Sequence, residues 1–165
     1  MPERFEESQK KYLFRSKGCF GCGTENESSM GIQLYRVGDK VYGDYVVPFR
    51  FRGLSKAAHG GIVCCLLDEV TVSGMAFLLD EMCVTTQLTV RFKKPLPLEE
   101  PVQLRSWLVS RDGRKVVSKG EIVNQADQII ADCDADIFVL DPEKAKKFLR
   151  NDSAEKMKDL GKGRD

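Results

Sequence analysis

HGGIVCCLLDEVTVSGMAFLLD, residues 59–80, decides how the rest of this chain must fold. Thirteen of its 22 residues are apolar and fall on every side of a 3.6-residue period, so it reads as a helix covered all round. Two glycines, Gly60 and Gly61, open it. Backbone without side chains at a helix start leaves N–H groups free to approach an anion or a polarised carbonyl. Asp68 and Glu69 sit in its middle. Adjacent positions lie about 100° apart around a helix, so at least one of these carboxylates must be buried or open into a cleft. The only histidine, His59, directly precedes the glycines. A turn would explain the glycines and a packing gap would explain an acid, but their coincidence on one helix marks a candidate site.

The 165 residues are 42% apolar and 31% charged, enough for one domain with a substantial core and too few for two typical ones. The net charge of +1, from 26 basic and 25 acidic residues, supplies no field to hold a nucleic-acid backbone, so nucleic acid is not an expected partner. Asp68 and Glu69 interrupt the longest apolar run, and MPERFEESQKKYLF at the N-terminus lacks an apolar core of signal-peptide type. The expectation is a cytoplasmic protein with no membrane partner.

Six cysteines raise the question of disulfides. Cys64 and Cys65 are neighbours within the helix and Cys83 and Cys133 lie in apolar contexts, as buried reduced thiols do. Cys19 and Cys22 differ, because CFGCG is a CxxC followed by glycine, a spacing that can ligate zinc or form a redox pair. Tetrahedral zinc wants four ligands and the chain has one such pair, so zinc would require two chains sharing a site. The expectation is no metal, with the pair serving as a loop staple or as packed thiols.

Residues 1–18 form an N-terminal segment whose Phe5, Tyr12, Leu13 and Phe14 among charges fit a short amphipathic helix. A loop rich in Gly, Asn, Ser and Glu follows over 18–31, then strand character at 32–37, a Gly38-Asp39 turn, and a strand at 41–47. After the helix the period becomes two. Over 85–93, Thr86, Leu88, Val90 and Phe92 form an apolar face and Thr85, Gln87, Thr89, Arg91 and Lys93 a polar one. Three more strands are expected at 102–110, 115–123 and 128–140, joined by tight turns. Residues 141–165 read as a terminal helix with Ala145, Phe148 and Leu149 on one side, then a mobile tail. The expected class is α+β: an antiparallel sheet of about six strands wrapped round one long central helix, with a homodimer completing the helix's cover.

Residues 19–140 resemble the hotdog-fold acyl-CoA thioesterases, the type that includes phenylacetate-pathway and 4-hydroxybenzoyl-CoA thioesterases. The resemblance rests on Cys19, Cys22, Gly23, Asn26 and Gly31-Ile32, on HGG…LLDE from His59 to Glu69, on TTQLTVRFKKPLP from Thr85 to Pro97, and on IIADCDADIFVL. It implies a hotdog thioesterase domain that hydrolyses the thioester of coenzyme A or a carrier protein and uses no further cofactor. It implies that the Gly60 N–H faces the thioester carbonyl with His59 beside it, that Asp68 activates water or attacks directly, and that Thr85 helps hold the water.

The chemistry agrees. Thioester hydrolysis develops negative charge on the carbonyl oxygen, and it needs a base or nucleophile that a partly desolvated carboxylate can supply. Gly60 and Asp68 are eight residues apart, about 12 Å along one helix, too far to serve one carbonyl. Two helices antiparallel across a two-fold axis would bring Gly60 of one chain near Asp68 of the other, with two shared sites per dimer and dimers able to pair into a homotetramer.

The sequence departs from its relatives in one place. Many keep Asn or Gln about six residues before the histidine, where this chain has Arg52-Gly53-Leu54-Ser55-Lys56; Ser55 is the substitute on offer. Glu69 is the other candidate acid, with an ion pair to a basic loop residue as its ordinary role. Gly61, Arg91, Lys93 and Lys94, with Arg111, Arg114 and Lys115, are candidates for holding coenzyme A, and Met75, Phe77 and Met82 for lining the acyl pocket. The competing functional reading is a non-catalytic acyl-CoA-binding or regulatory hotdog protein.

Overall fold

The computed structural model describes residues 1–149. The central stretch forms helix α1 (Gly60–Leu79), with His59 as its N-cap and Asp80 closing it in the left-handed conformation at φ 55° and ψ 39°. Seven strands make one sheet. They are β1 (Lys11–Tyr12), β2 (Tyr35–Val37), β3 (Lys40–Val46), β4 (Cys83–Phe92), β5 (Pro101–Asp112), β6 (Lys115–Val123) and β7 (Ile129–Val139), and a short helix α2 (Pro142–Leu149) follows. The tail expected after α2 lies outside the described residues.

Every pairing is antiparallel, in the order β1-β2-β3-β5-β6-β7-β4. The chain therefore leaves β3 on one flank, runs through α1, and enters the sheet again at the opposite edge as β4. All five long strands contact α1, as a sheet curled round a helix requires. This is the hotdog arrangement.

Small side chains let the helix sit close. Ser106, Gly120 and Cys133 face one another across β5, β6 and β7, with Val41 and Val90 at the ends of that row. A Cβ on Gly120 would lie 2.8 Å from Thr71 Cγ2 and 3.0 Å from Cys133 Sγ. On the helix, a Cβ on Gly74 would lie 2.8 Å from Ser106 Oγ, whose hydroxyl donates to the Val70 carbonyl at 2.6 Å. Leu66, Leu67 and Val70 are completely buried in the main core with Val41, Leu104 and Ile122. Each such aliphatic side chain contributes about 1.5–3 kcal/mol by leaving water. Met75 is also completely buried, in a second cluster with Val116 and Ile137, so it is core and not pocket lining.

The all-round cover expected of α1 is incomplete in one chain. Ile62, Cys65, Val72, Ala76 and Leu79, a single stripe at helical spacing, are only partly buried. Nor do Asp68 and Glu69 disqualify α1 on composition: the 20-residue helix, with an 18-residue window of mean hydropathy 1.9, is long and apolar enough to cross a membrane, although here it lies across the sheet.

Two expectations fail for identifiable reasons. The N-terminal amphipathic helix is instead one 3₁₀ turn (Glu7–Gln9) and strand β1. The open edge of β2 captures this segment through backbone pairing, and Phe5 and Tyr12 pack on Tyr35 and Tyr42 with ring centroids 4.7–6.3 Å apart. The second failure is in β4, where strict alternation breaks. Thr85 pairs with Ile137 and Gln87 with Asp136, leaving Thr86 as a bulge. One extra residue re-aims its neighbours. Thr85 thus turns toward α1, on the side expected for Leu88, and Thr86 is exposed, bonding the Asp136 carbonyl.

Candidate active site

The start of α1 is set by the irregular crossing before it. His59 N–H donates to the Phe51 carbonyl at 2.9 Å, Ala58 N–H to Leu96 at 2.9 Å and Gly53 N–H to Ala57 at 2.8 Å. A Cβ on Gly53 would lie 2.9 Å from His59 Cα, so only glycine permits this approach. His59 Nδ1 accepts the Gly61 N–H at 3.0 Å, a side-chain cap that satisfies one of the unpaired donors of the first turn. Gly61 is thereby committed to His59. The Gly60 N–H has no acceptor among the described residues and stands at the positive end of the helix dipole.

Gly60 borders a recess of about 320 Å³, lined also by Ala58, Val63, Phe92, Lys94 and Leu96. The Phe92 ring lies 3.7 Å from where a Gly60 Cβ would be, and this side chain is 58% exposed, an apolar surface at the rim. Neither Phe92 nor Leu96 was singled out from sequence; only the pairing of a strand end with a helix start identifies them. Ser55, the substitute for the missing amide, is exposed at φ 58° and does not line this recess.

Asp68 and Glu69 occupy different surroundings, as their angular separation demands. Asp68 is half-buried on the flank of α1 facing β4, and Thr85 Oγ1 donates to its Oδ1 at 2.6 Å. Its Oδ2 has no protein partner among the described residues and is open to a water. Glu69 is buried on the outward stripe, under the 18–31 loop. It accepts from Ser73 Oγ at 2.9 Å and lies 3.9 Å from Cys19 Sγ. None of the ion pairs among the described residues reaches it, contrary to the expected loop base; two thiols lie beside it. Burial, and next the Glu69 charge, pushes the Cys22 thiol up from its ordinary range.

The basic candidates separate. Arg91 pairs with Asp132 and Asp134, and Lys93 with Asp132 at 2.7 Å. Partial burial by itself would raise the Asp132 carboxyl, but Lys93 and Arg91 hold it below its usual range. Arg111 pairs with Glu81 and Arg114 lies 3.6 Å from Asp141. Among the described residues the Lys94 side chain donates to the Gln128 amide oxygen at 2.9 Å, and it lies at the rim of the Gly60 recess.

The structure therefore brings Asp68 and Thr85 together and groups Gly60 with His59, Gly61 and Lys94. It does not join the two groups within one chain: eight residues of helix separate Gly60 from Asp68 by about 12 Å.

The Thioesterase superfamily model matches residues 56–131. The mouse acyl-coenzyme A thioesterase THEM4 is 29% identical over 94 residues, which are 56% of this chain and 40% of that protein. The chain thus spans less than half the length of the curated relatives it matches. A crystal structure of a thioesterase superfamily protein superposes with a TM-score of 0.69 at 29% identity, covering 75% of this chain and 61% of the other. A hypothetical thioesterase from Streptococcus pneumoniae, solved with coenzyme A, superposes with a TM-score of 0.60 at 22% identity over 66% of this chain and 85% of its own, a likeness of fold.

Proposed function

We propose that this chain, which matches the thioesterase superfamily model over residues 56–131 and has the hotdog fold, is a thioester hydrolase acting on an acyl-CoA. The observation that carries this reading is the occurrence, on one helix, of an unpaired N–H at its start and a carboxylate oriented by a neighbouring hydroxyl. The Gly60 N–H donates to the thioester carbonyl oxygen and stabilises the negative charge that grows there, by about 2.7–4 kcal/mol if it behaves as other oxyanion-hole donors do. Thr85 fixes one Asp68 oxygen, and the other takes a proton from water as that water attacks the carbonyl carbon. The C–S bond breaks, and the thiolate leaves with a proton from solvent or from Asp68. His59 acts through the helix cap, holding the first turn in place.

The reading requires a homodimer, with the Gly60 of one chain serving the Asp68 of the other. The partly buried stripe on α1 and the outer edge of β4, unpaired among the described residues, support this, since a ten-residue open edge is usually covered. Lys94, at the rim of the Gly60 recess and without a carboxylate partner among the described residues, would hold a coenzyme A phosphate; the pneumococcal protein solved with coenzyme A makes that the natural thiol carrier to test.

The test is thiol release from short, long and aromatic acyl-CoAs. At least one should be turned over, and Asp68→Asn should lower that rate a hundredfold or more while leaving the fold intact. Turnover within a few-fold of the parent removes Asp68 from the reaction.

A further inference from the structure

We propose that Cys19, Cys22 and Glu69 form a binding site for a zinc-class divalent cation, which clamps the 18–31 loop onto the outward face of α1. One ligand atom from each residue lies within 4.8 Å of the others, and Cys19 Sγ is 3.9 Å from Glu69 Oε2. A tetrahedral zinc ion with ordinary bond lengths sets two sulfur ligands about 3.8 Å apart, and a sulfur and an oxygen about 3.6 Å apart. The separations of the three ligand atoms, none above 4.8 Å, exceed those values by about 1 Å at most.

The loop has the shape of a chelating turn. The Cys22 N–H points at Cys19 Sγ at 3.5 Å and the Gly23 N–H donates to the Cys19 carbonyl at 2.9 Å. A Cβ on Gly23 would lie 2.2 Å from that carbonyl oxygen, so the turn admits only glycine. Gly21 is needed for a different reason: a Cβ there would lie 2.2 Å from Glu69 Oε2, so the loop is bare where the carboxylate enters.

Charge supplies the independent argument. Glu69 is only 9% exposed, yet none of the ion pairs among the described residues reaches it; its neighbours are a hydroxyl and two thiols. A buried carboxylate without a counter-charge is costly. A divalent ion provides that charge. On binding, the two thiols lose their protons to solvent, two sulfur bonds and one oxygen bond form to the metal, and nothing is oxidised or reduced. Three protein ligands leave one tetrahedral position, which water fills from the side where Cys19 is partly exposed. The site needs no second chain, because Glu69 supplies a ligand from within this one. Asp68 lies about 100° round the helix and is not part of it.

The experiment uses the full chain, purified without chelator or nickel resin and assayed for metal. It is then stripped, reduced anaerobically and titrated with Co²⁺. We expect zinc near one ion per chain, and on Co²⁺ addition a thiolate-to-metal charge-transfer absorption that Zn²⁺ abolishes. Glu69→Gln should weaken Co²⁺ binding at least tenfold, and Cys19→Ser should remove most of the absorption. A Cys64→Ser/Cys65→Ser double variant should keep it in full, which keeps the assignment testable if Glu69→Gln fails to fold. Absence of charge-transfer absorption from the reduced parent, or its loss in the Cys64/Cys65 variant, overturns the proposal. So does Glu69→Gln binding as tightly as the parent. None of these readouts depends on thioester hydrolysis.

Discussion

Thr85 Oγ1 and Asp68 Oδ1 meet at 2.6 Å across the seam between β4 and α1, and they meet because Thr86 is bulged out of the ladder beside them. Without that extra residue Thr85 would share the polar face with Gln87 and Thr89. A hydrogen bond to a charged group contributes about 1.5–3 kcal/mol, so Thr85→Ala should lower kcat at least tenfold, with a smaller change in KM, while Thr85→Ser keeps most of the rate. Steady-state kinetics on a responsive acyl-CoA would decide; a change confined to KM counts against an orienting role.

Gly60→Pro should remove the N–H proposed to bind the thioester carbonyl and leave the helix intact. Proline is well tolerated at the first helical position, and the residue before it must be extended, as His59 already is at φ −63° and ψ 141°. Loss of one such donor predicts a fall in kcat of about a hundredfold to a thousandfold with unchanged circular dichroism. Mixing Gly60→Pro with Asp68→Asn chains then tests the shared site. Random exchange should restore about a quarter of parent activity, since half the dimers are mixed and one of their two sites is intact. No recovery after verified exchange would place both groups in the same chain's site.

Gly74→Ala should destabilise the fold even though alanine is the better helix former. Propensity favours the change by about 0.8–1 kcal/mol, whereas forcing a methyl into a packed core costs about 1–3 kcal/mol. With Ser106 Oγ 2.8 Å from the new Cβ and fixed by its own bond to Val70, the steric cost should win. A lower urea midpoint with an unchanged slope is the expected result.

Stability should also decline in alkali. Burial, ahead of any neighbouring charge, pushes the Cys83 thiol up to about 11 and the Cys133 thiol up to about 12, from an ordinary 9.0. Below pH 9.0 both folded and unfolded chains carry neutral thiols and the contribution is complete. Above it the unfolded chain ionises first, so stability falls as pH rises toward the folded values. Denaturant midpoints of Cys83→Ala/Cys133→Ala should fall less steeply than those of the parent between pH 9 and 11; parallel curves would show that other groups govern the decline.

Periodicity located α1 to within a residue at each end, because His59 and Asp80 are its caps, and it found the six main strands. It also showed that Asp68 and Glu69 must face different surroundings, though not which ones. What stayed hidden depends on contacts distant in sequence. The bulge at Thr86 is imposed by pairing with β7, fifty residues on, and nothing in TTQLTV marks it. Glu69 meets Cys19 across an equal interval, so the CxxC pair looked one carboxylate poorer than it is. Arg91 and Lys93 read as free cations until Asp132 and Asp134 appear opposite them on the neighbouring strand. The N-terminal segment failed for a related reason: the exposed edge of β2 overrode its local helical pattern.

The seat formed by Gly74, Ser106 and Gly120 prevents α1 from rolling about its own axis. A roll of about 100° in one sense would carry Glu69 to where Asp68 now points, sending the wrong carboxylate toward Thr85. Two acids adjacent in sequence thus keep separate surroundings only while the azimuth of the helix is locked, and the lock lies on the opposite side of the helix from Glu69.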